Sequence, residues 1–192
     1  MGLFGPPNTP DISNSGFCNI ESKTVQEIDQ KWMREAIKAA ADARGRDEVP
    51  IGACIVDESG ELLAVAGNRT ITDNDPTAHA EILAIRDAAA KIGNYRLTGA
   101  TVYSTIEPCA MCAGALVNAR VKRLVYGARD ERFGAVETHF RICDSEMLNH
   151  RMEIEAGILA EECRELMQDF FRKRRAEAKL GKSAADLRGV RG

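Results

Sequence analysis

Apolar positions recur at helical spacing through Ile28, Trp32, Ala36, Ala39 and Ala43, and Gly45 supplies a stop. Thr24-Val25-Gln26-Glu27 has the spacing of a capping box, so the first helix is expected to begin there. Two short apolar runs follow, Pro50 to Val56 and Leu62 to Ala66, separated by Asp57-Glu58-Ser59-Gly60, the composition of a hairpin. Ile82, Leu83, Ile85 and Ala89 return to a helical period that closes at Gly93. Thr101 to Ile106, rich in β-branched residues, reads as a strand. Pro108 suits the first turn of a third helix running to about Asn118, and Val121 to Tyr126 reads as a fourth strand. Met152 to Ile154 is a candidate fifth strand. Leu159 to Arg175, with Cys163, Leu166 and Phe170 on one face, reads as a terminal helix. Helices alternating with strands predict an α/β sandwich, and no internal repeat interrupts the pattern.

The ends lie outside this pattern. Residues 1–22 are rich in Gly, Pro, Asn and Ser with no hydrophobic period and are expected to form a disordered extension. A single domain over 23–175 and a flexible basic tail over 176–192 complete the expected organisation, which suits a chain of 192 residues. No run approaches the roughly 18 apolar residues of a membrane span, and the N-terminus lacks signal or transit character, so a soluble, cytoplasmic protein is expected. The net charge of −3 argues against a general nucleic-acid binder but leaves room for a local basic surface. Arg172, Lys173, Arg174 and Arg175, with Lys179, Lys182, Arg188 and Arg191 beyond, form one such excess. Either they contact phosphate, or they complement a helix C-terminus and keep the surface solvated. Phe170 and Phe171 are expected to pack in the core, with a loop-facing role for one of them as the other option.

Six cysteines are scattered with one close pair, Cys109 and Cys112, which fits metal binding or structural thiols better than a disulfide framework. Residues three apart on one helical turn share a face, so both sulfurs can reach one ion. His79-Ala80-Glu81 opens the second helix, and Pro108-Cys109-Ala110-Met111-Cys112 opens the third. Helix N-termini favour thiolate, because unpaired N–H groups and the positive dipole end stabilise negative charge. His79, Cys109 and Cys112 supply three ligands where a structural zinc site would use four, and an open position on zinc is the arrangement that activates water. Glu81, two residues after the histidine, is placed to take a proton from that water and pass it to a substrate ring nitrogen. Taken singly, the cysteines also fit a redox pair or half a structural zinc site, and His79 a helix cap. Taken together, His-x-Glu followed by Pro-Cys-x-x-Cys is the signature of zinc nucleobase deaminases. His139 and His150 are expected to be surface or structural.

Beyond the signature, the chain resembles the bacterial tRNA adenosine deaminases of the cytidine deaminase superfamily. The resemblance runs through Trp32-Met33, Glu48-Val49-Pro50, Gly67-Asn68-Arg69, Asp75 to Glu81, Asn94-Tyr95-Arg96-Leu97, Glu107 to Ala115 and Tyr126 to Asp130. Leu148-Asn149-His150-Arg151 and Asp169-Phe170-Phe171-Arg172 continue it, so roughly residues 28–175 are covered. It implies a three-layer α/β/α sandwich with a mixed five-stranded sheet, a homodimer whose interface helps build the substrate site, and zinc as cofactor. It further implies hydrolysis of wobble adenosine to inosine in a tRNA anticodon stem-loop, of an arginine tRNA. An adenosine in a loop is already partly unstacked, which lowers the cost of extruding it. By the same resemblance Asn68 reads the flipped base, the backbone near Ala80 contacts it, and Asp130 lies against the neighbouring sugar. The plainer readings are a turn residue for Asn68 and a solvated charge for Asp130. The stretch Ala135 to Arg141 departs from the smaller residues expected there, and the extension before Glu27 has no counterpart. Other readings are a deaminase of free bases or nucleosides such as guanine or cytosine, a silent RNA-binding partner subunit, or a structural zinc module. Presence of Glu81 separates the first proposal from the silent subunit.

Overall fold

The computed structural model describes the backbone over residues 15–189 and side chains over residues 24–180. Helix α1 spans Ser15–Gly45, and strands β1 (Gly52–Val56) and β2 (Leu62–Gly67) follow. Helix α2 covers Ala80–Ile92, β3 Thr101–Ile106, α3 Ala110–Asn118, β4 Arg123–Ala128, β5 Glu153–Ala156 and α4 Ala160–Gly189. The strands form one sheet in the order β2-β1-β3-β4-β5. β1 pairs antiparallel with both β2 and β3, whereas β3–β4 and β4–β5 are parallel, so the sheet is mixed.

Period-two alternation on the central strands sorts side chains to two faces. On β1, Ala53 and Ile55 join one core cluster and Cys54 and Val56 the other; on β4, Leu124 and Tyr126 are opposed to Val125. The first cluster packs beneath α2 and α3 through Ala80, Ala84, Ala88, Ala113, Leu116 and Val117. The second packs beneath α1 and α4 through Trp32, Met33, Ala36 and Cys163. Helices thus cover both faces, as parallel strands require. α1 lies so close to β1 that a Cβ on Gly52 would stand 2.6 Å from the Ala40 backbone nitrogen. A bidentate ion pair from Arg123 on β4 to the buried Asp29 on α1 ties the same helix across the sheet, and Tyr103 on β3 donates to that carboxylate at 2.9 Å. Among the described residues, no helix is long and apolar enough to cross a membrane.

The helix ends depart from the sequence pattern in three places. Thr24 lies inside α1, which already runs as helix from Ser15; of the extension expected to be disordered, residues 1–14 lie outside the described residues. α4 continues to Gly189, past the boundary expected at residue 175, through a stretch of Ala, Glu, Lys and Leu that favours helix. Within α4, Arg172 pairs with Asp169, while Lys173 and Arg174 lie near Glu177, so much of that basic run is offset along the helix itself. Arg191 and the side chains of Lys182 and Arg188 lie outside the described residues. Finally, α3 starts after Cys109, whose φ −72 and ψ 173 are extended, so Pro108 precedes the helix instead of forming its first turn. Phe170 is buried as expected, but Phe171 is exposed instead of packing in the core, the two rings meeting edge to face.

Candidate active site

β3 ends, and the antiparallel β1 begins, at the edge of the sheet that carries the N-termini of α2 and α3, and the chemistry-bearing residues are gathered there. His79 is the N-cap of α2 and Cys109 the N-cap of α3, yet neither side chain makes a cap hydrogen bond. Both are turned to each other instead. His79 Nδ1 lies 3.7 Å from Cys109 Sγ and 3.5 Å from Cys112 Sγ. The ligand atoms of His79, Cys109 and Cys112 all fall within 4.8 Å of one another, and this is the group suited to a metal ion among the described residues. His139 and His150 stand apart from it, bonded to the carbonyls of Glu131 and Val121.

The three groups perturb one another. The hydrogen bond from Cys112 holds the Cys109 thiol down to about 4, against the opposing effect of burial. Donating that bond, together with burial, pushes the Cys112 thiol far up. His79 is raised by its bond to Cys109. Burial pushes Cys54, Cys143 and Cys163 up to about 12, which marks them as inert structural thiols beside this pair.

Glu81, in the first turn of α2, is 3% exposed, and burial pushes its carboxyl upward. Its Oε2 has no hydrogen-bond partner among the described residues. Ser104 Oγ lies 3.4 Å from Oε1 but 2.7 Å from the Ile106 carbonyl. A hydroxyl has one proton to give, and the shorter contact takes it, so Glu81 is left with its own N–H and the Cys112 thiol as donors, and Oε2 with none. A buried carboxylate left in this state is expensive unless it serves a ligand or a reaction.

Asn68 is buried, and its Oδ1 accepts from the Ala80 N–H at 2.9 Å. That bond occupies the Ala80 N–H and orients the amide so that its NH₂ edge is turned the other way. Asp130 is partly exposed; its Oδ1 accepts from the N–H groups of Arg132 and Phe133, which makes it the organiser of its own turn. Two buried carboxylates, Glu48 and Glu107, to which the sequence reading gave no role, hold the surrounding loops. Glu48 accepts from the N–H groups of Ile71 and Thr72 and from the hydroxyls of Thr70 and Thr72, fixing the segment that leads to His79. Glu107 accepts from the N–H groups of Val136, Glu137 and Thr138, and more weakly from Asp130. The one available signal was position: each is a glutamate set beside a proline and an apolar strand, Glu48-Val49-Pro50 and Glu107-Pro108. Tyr126 on β4 donates to Glu137 and Arg129 pairs with it, so the unexpected Glu137 is absorbed as a brace for the same loop.

Residues 27–175 match the family described as MafB19-like deaminase. The chain is 45% identical over 162 residues to the tRNA-specific adenosine deaminase of Haemophilus influenzae, covering 84% of this chain and 94% of that one. To the protein of the same name from Bacillus subtilis it is 44% identical over 154 residues, covering 80% and 95%. A solved structure from a study of A-to-I editing by tRNA:A34 deaminases at the wobble position of transfer RNA matches with a TM-score of 0.68. It has 45% identity and covers 71% of this chain and 98% of that chain. With the signature residues gathered at two helix starts and the likeness spanning nearly the whole fold, the chain belongs to the MafB19-like deaminases and, within them, to the family of the tRNA-specific adenosine deaminases.

Proposed function

We propose that the protein hydrolyses the wobble adenosine of a tRNA anticodon loop to inosine, releasing ammonia, with zinc held by His79, Cys109 and Cys112. The observation that carries the chemistry is the buried, unpartnered oxygen of Glu81 beside a three-ligand group. Two thiolates and an imidazole suit zinc, and three protein ligands leave a position for substrate or water. When bound, zinc supplies a Lewis acid that brings the pKa of water to about 7.

The residues of the chain do the rest. Glu81 takes a proton from the attacking water and delivers it to the adenine ring nitrogen next to C6. The water oxygen bonds to C6 as the ring nitrogen takes that proton. The carboxylate then takes the second proton from the new C6 hydroxyl and gives it to the amine, which leaves as ammonia as the C6–N bond breaks and the C6 carbonyl forms. Its upward-shifted pKa suits a group that must both accept and give a proton near neutrality. Asn68, its oxygen committed to Ala80, offers its NH₂ donors to a ring nitrogen of the flipped base. The Ala80 backbone acts through that bond. Asp130 stands for the neighbouring sugar, with Oδ2 as the oxygen left over from its turn. The choice of tRNA over a free base is supported by the relatives named for it at 44–45% identity. An arginine tRNA as substrate, a homodimer completing the site, and a cytoplasmic location are part of the same proposal.

The test is inosine formation on an arginine tRNA anticodon stem-loop by purified, zinc-loaded protein, read as an A-to-G change on sequencing. Conversion at the wobble position alone is the expected result. A folded, zinc-loaded protein that converts guanine or cytosine and leaves the stem-loop untouched overturns the tRNA reading and keeps the deaminase. Light scattering checks the dimer.

A further inference from the structure

The loop over residues 130–138 is strapped to the candidate active site at several points. Gly134 forms an antiparallel bridge with Cys109, and the Ala135 N–H donates to the Pro108 carbonyl at 2.9 Å. Beneath it, Glu107 gathers the N–H groups of Val136, Glu137 and Thr138 at 2.8–3.1 Å and the Thr138 hydroxyl at 2.5 Å. The approach is so close that a Cβ on Gly134 would stand 2.5 Å from Glu107 Oε2. At the near end, Asp130 Oδ1 accepts the Phe133 N–H at 3.2 Å, and the Asp130 carbonyl accepts the Gly134 N–H at 3.0 Å.

The backbone on both sides of Phe133 is therefore fixed, one residue from the position that pairs with Cys109, while the Phe133 side chain is 68% exposed. Held on a fixed backbone beside the site, this ring is free to be covered by a ligand and gains apolar burial when it is. Along the chain the ring is flanked by the exposed, charged side chains of Glu131 and Arg132. A single aromatic face in polar surroundings suits a nucleobase, since unstacked RNA bases are commonly received on aromatic side chains and every base has a π-face to offer.

We propose that Phe133 is the stacking platform for a nucleobase adjacent to the deaminated adenosine. This rests on the tRNA reading above and adds to it a residue that sets affinity for the flanking nucleotide. Because the platform is built before substrate arrives, stacking lowers KM and leaves the chemical step to Glu81 and the metal ligands.

The experiment is steady-state kinetics on the anticodon stem-loop with the zinc-loaded wild-type protein and the variants F133A, F133L and F133W, each checked for zinc content and thermal midpoint. Phe133 is exposed, so none of the three is expected to disturb folding. F133A should raise KM by about tenfold with kcat little changed, F133W should restore KM, and F133L should not. A second set of substrates carries an abasic site at each flanking nucleotide in turn. At one of these positions the loss in the wild-type protein should match the F133A loss, and F133A should lose nothing further. Unchanged KM in F133A, restoration by F133L, or full additivity at both flanking positions each overturns the platform and leaves the tRNA reading standing. Failure of the wild-type protein to convert the stem-loop brings down both.

Discussion

Glu81 and Glu107 are buried carboxylates with opposite fates. Glu81 has an oxygen with no partner and is pushed up by burial, whereas Glu107, although burial acts in the same direction, is held below its ordinary value near 4.5 by the N–H groups and hydroxyl it accepts from. Folding therefore favours the protonated form of Glu81 and the ionised form of Glu107. For Glu81 the contribution to stability is present at low pH and lost as pH rises from about 4.5 through the raised folded value. The substitution E81Q should lower kcat by on the order of 10² to 10⁴ while zinc content is retained. In the metal-free protein it should raise the thermal midpoint at neutral pH, an advantage that shrinks as pH falls toward 4.5. Full activity in E81Q sinks the proposed proton transfer. For Glu107 the sign reverses: its contribution is present above about 4.5 and lost as pH falls through the depressed folded value. E107Q turns an amide NH₂ toward groups that are themselves donors, so a loss of about 1–3 kcal/mol at pH 7 is expected in urea titrations. A loss that is unchanged at acidic pH would contradict the role given to the charge.

At the scale of elements, α1 meets the sheet through a glycine in place of an interlocking side chain. G52A places a methyl group 2.6 Å from the Ala40 nitrogen of α1, and because the obstacle is backbone, the helix must move as a whole. A destabilisation of about 1–3 kcal/mol or more, read as a fall in the denaturant midpoint, is expected. Elements of this kind were legible to different degrees in the sequence. β3 is found at Thr101–Ile106 as its β-branched run indicates, and α2 closes at Gly93, whose φ of 66 is the left-handed cap that glycine accommodates. Local patterns carry such features because the information lies within a few residues. The start of α3 was misplaced because Pro108 is equally at home just before a helix, and only the extended backbone of Cys109 decides. The metal ligands were readable as a motif, but the loop anchors were not. Glu48 bonds to residues 22–24 positions away and Glu107 to residues 23–31 positions away, distances over which no periodicity extends.

For the whole molecule, the two core clusters on either face of the sheet supply the packing, and the three ligand groups add little that holds the fold together. Removal of zinc by a chelator should therefore abolish deamination while far-UV circular dichroism stays unchanged, and added zinc should restore turnover. Unfolding on chelation would favour a structural zinc module instead. The placement of the ligands has a bearing on time as well as on chemistry. His79 and Cys109 head two different helices, and the strand between them, β3, lies in the middle of the sheet between β1 and β4. Cys109 and Cys112 are neighbours in any helical turn, but His79 joins them only once that central strand has taken its place. An ion held by all three residues at once would therefore report that the sheet is complete.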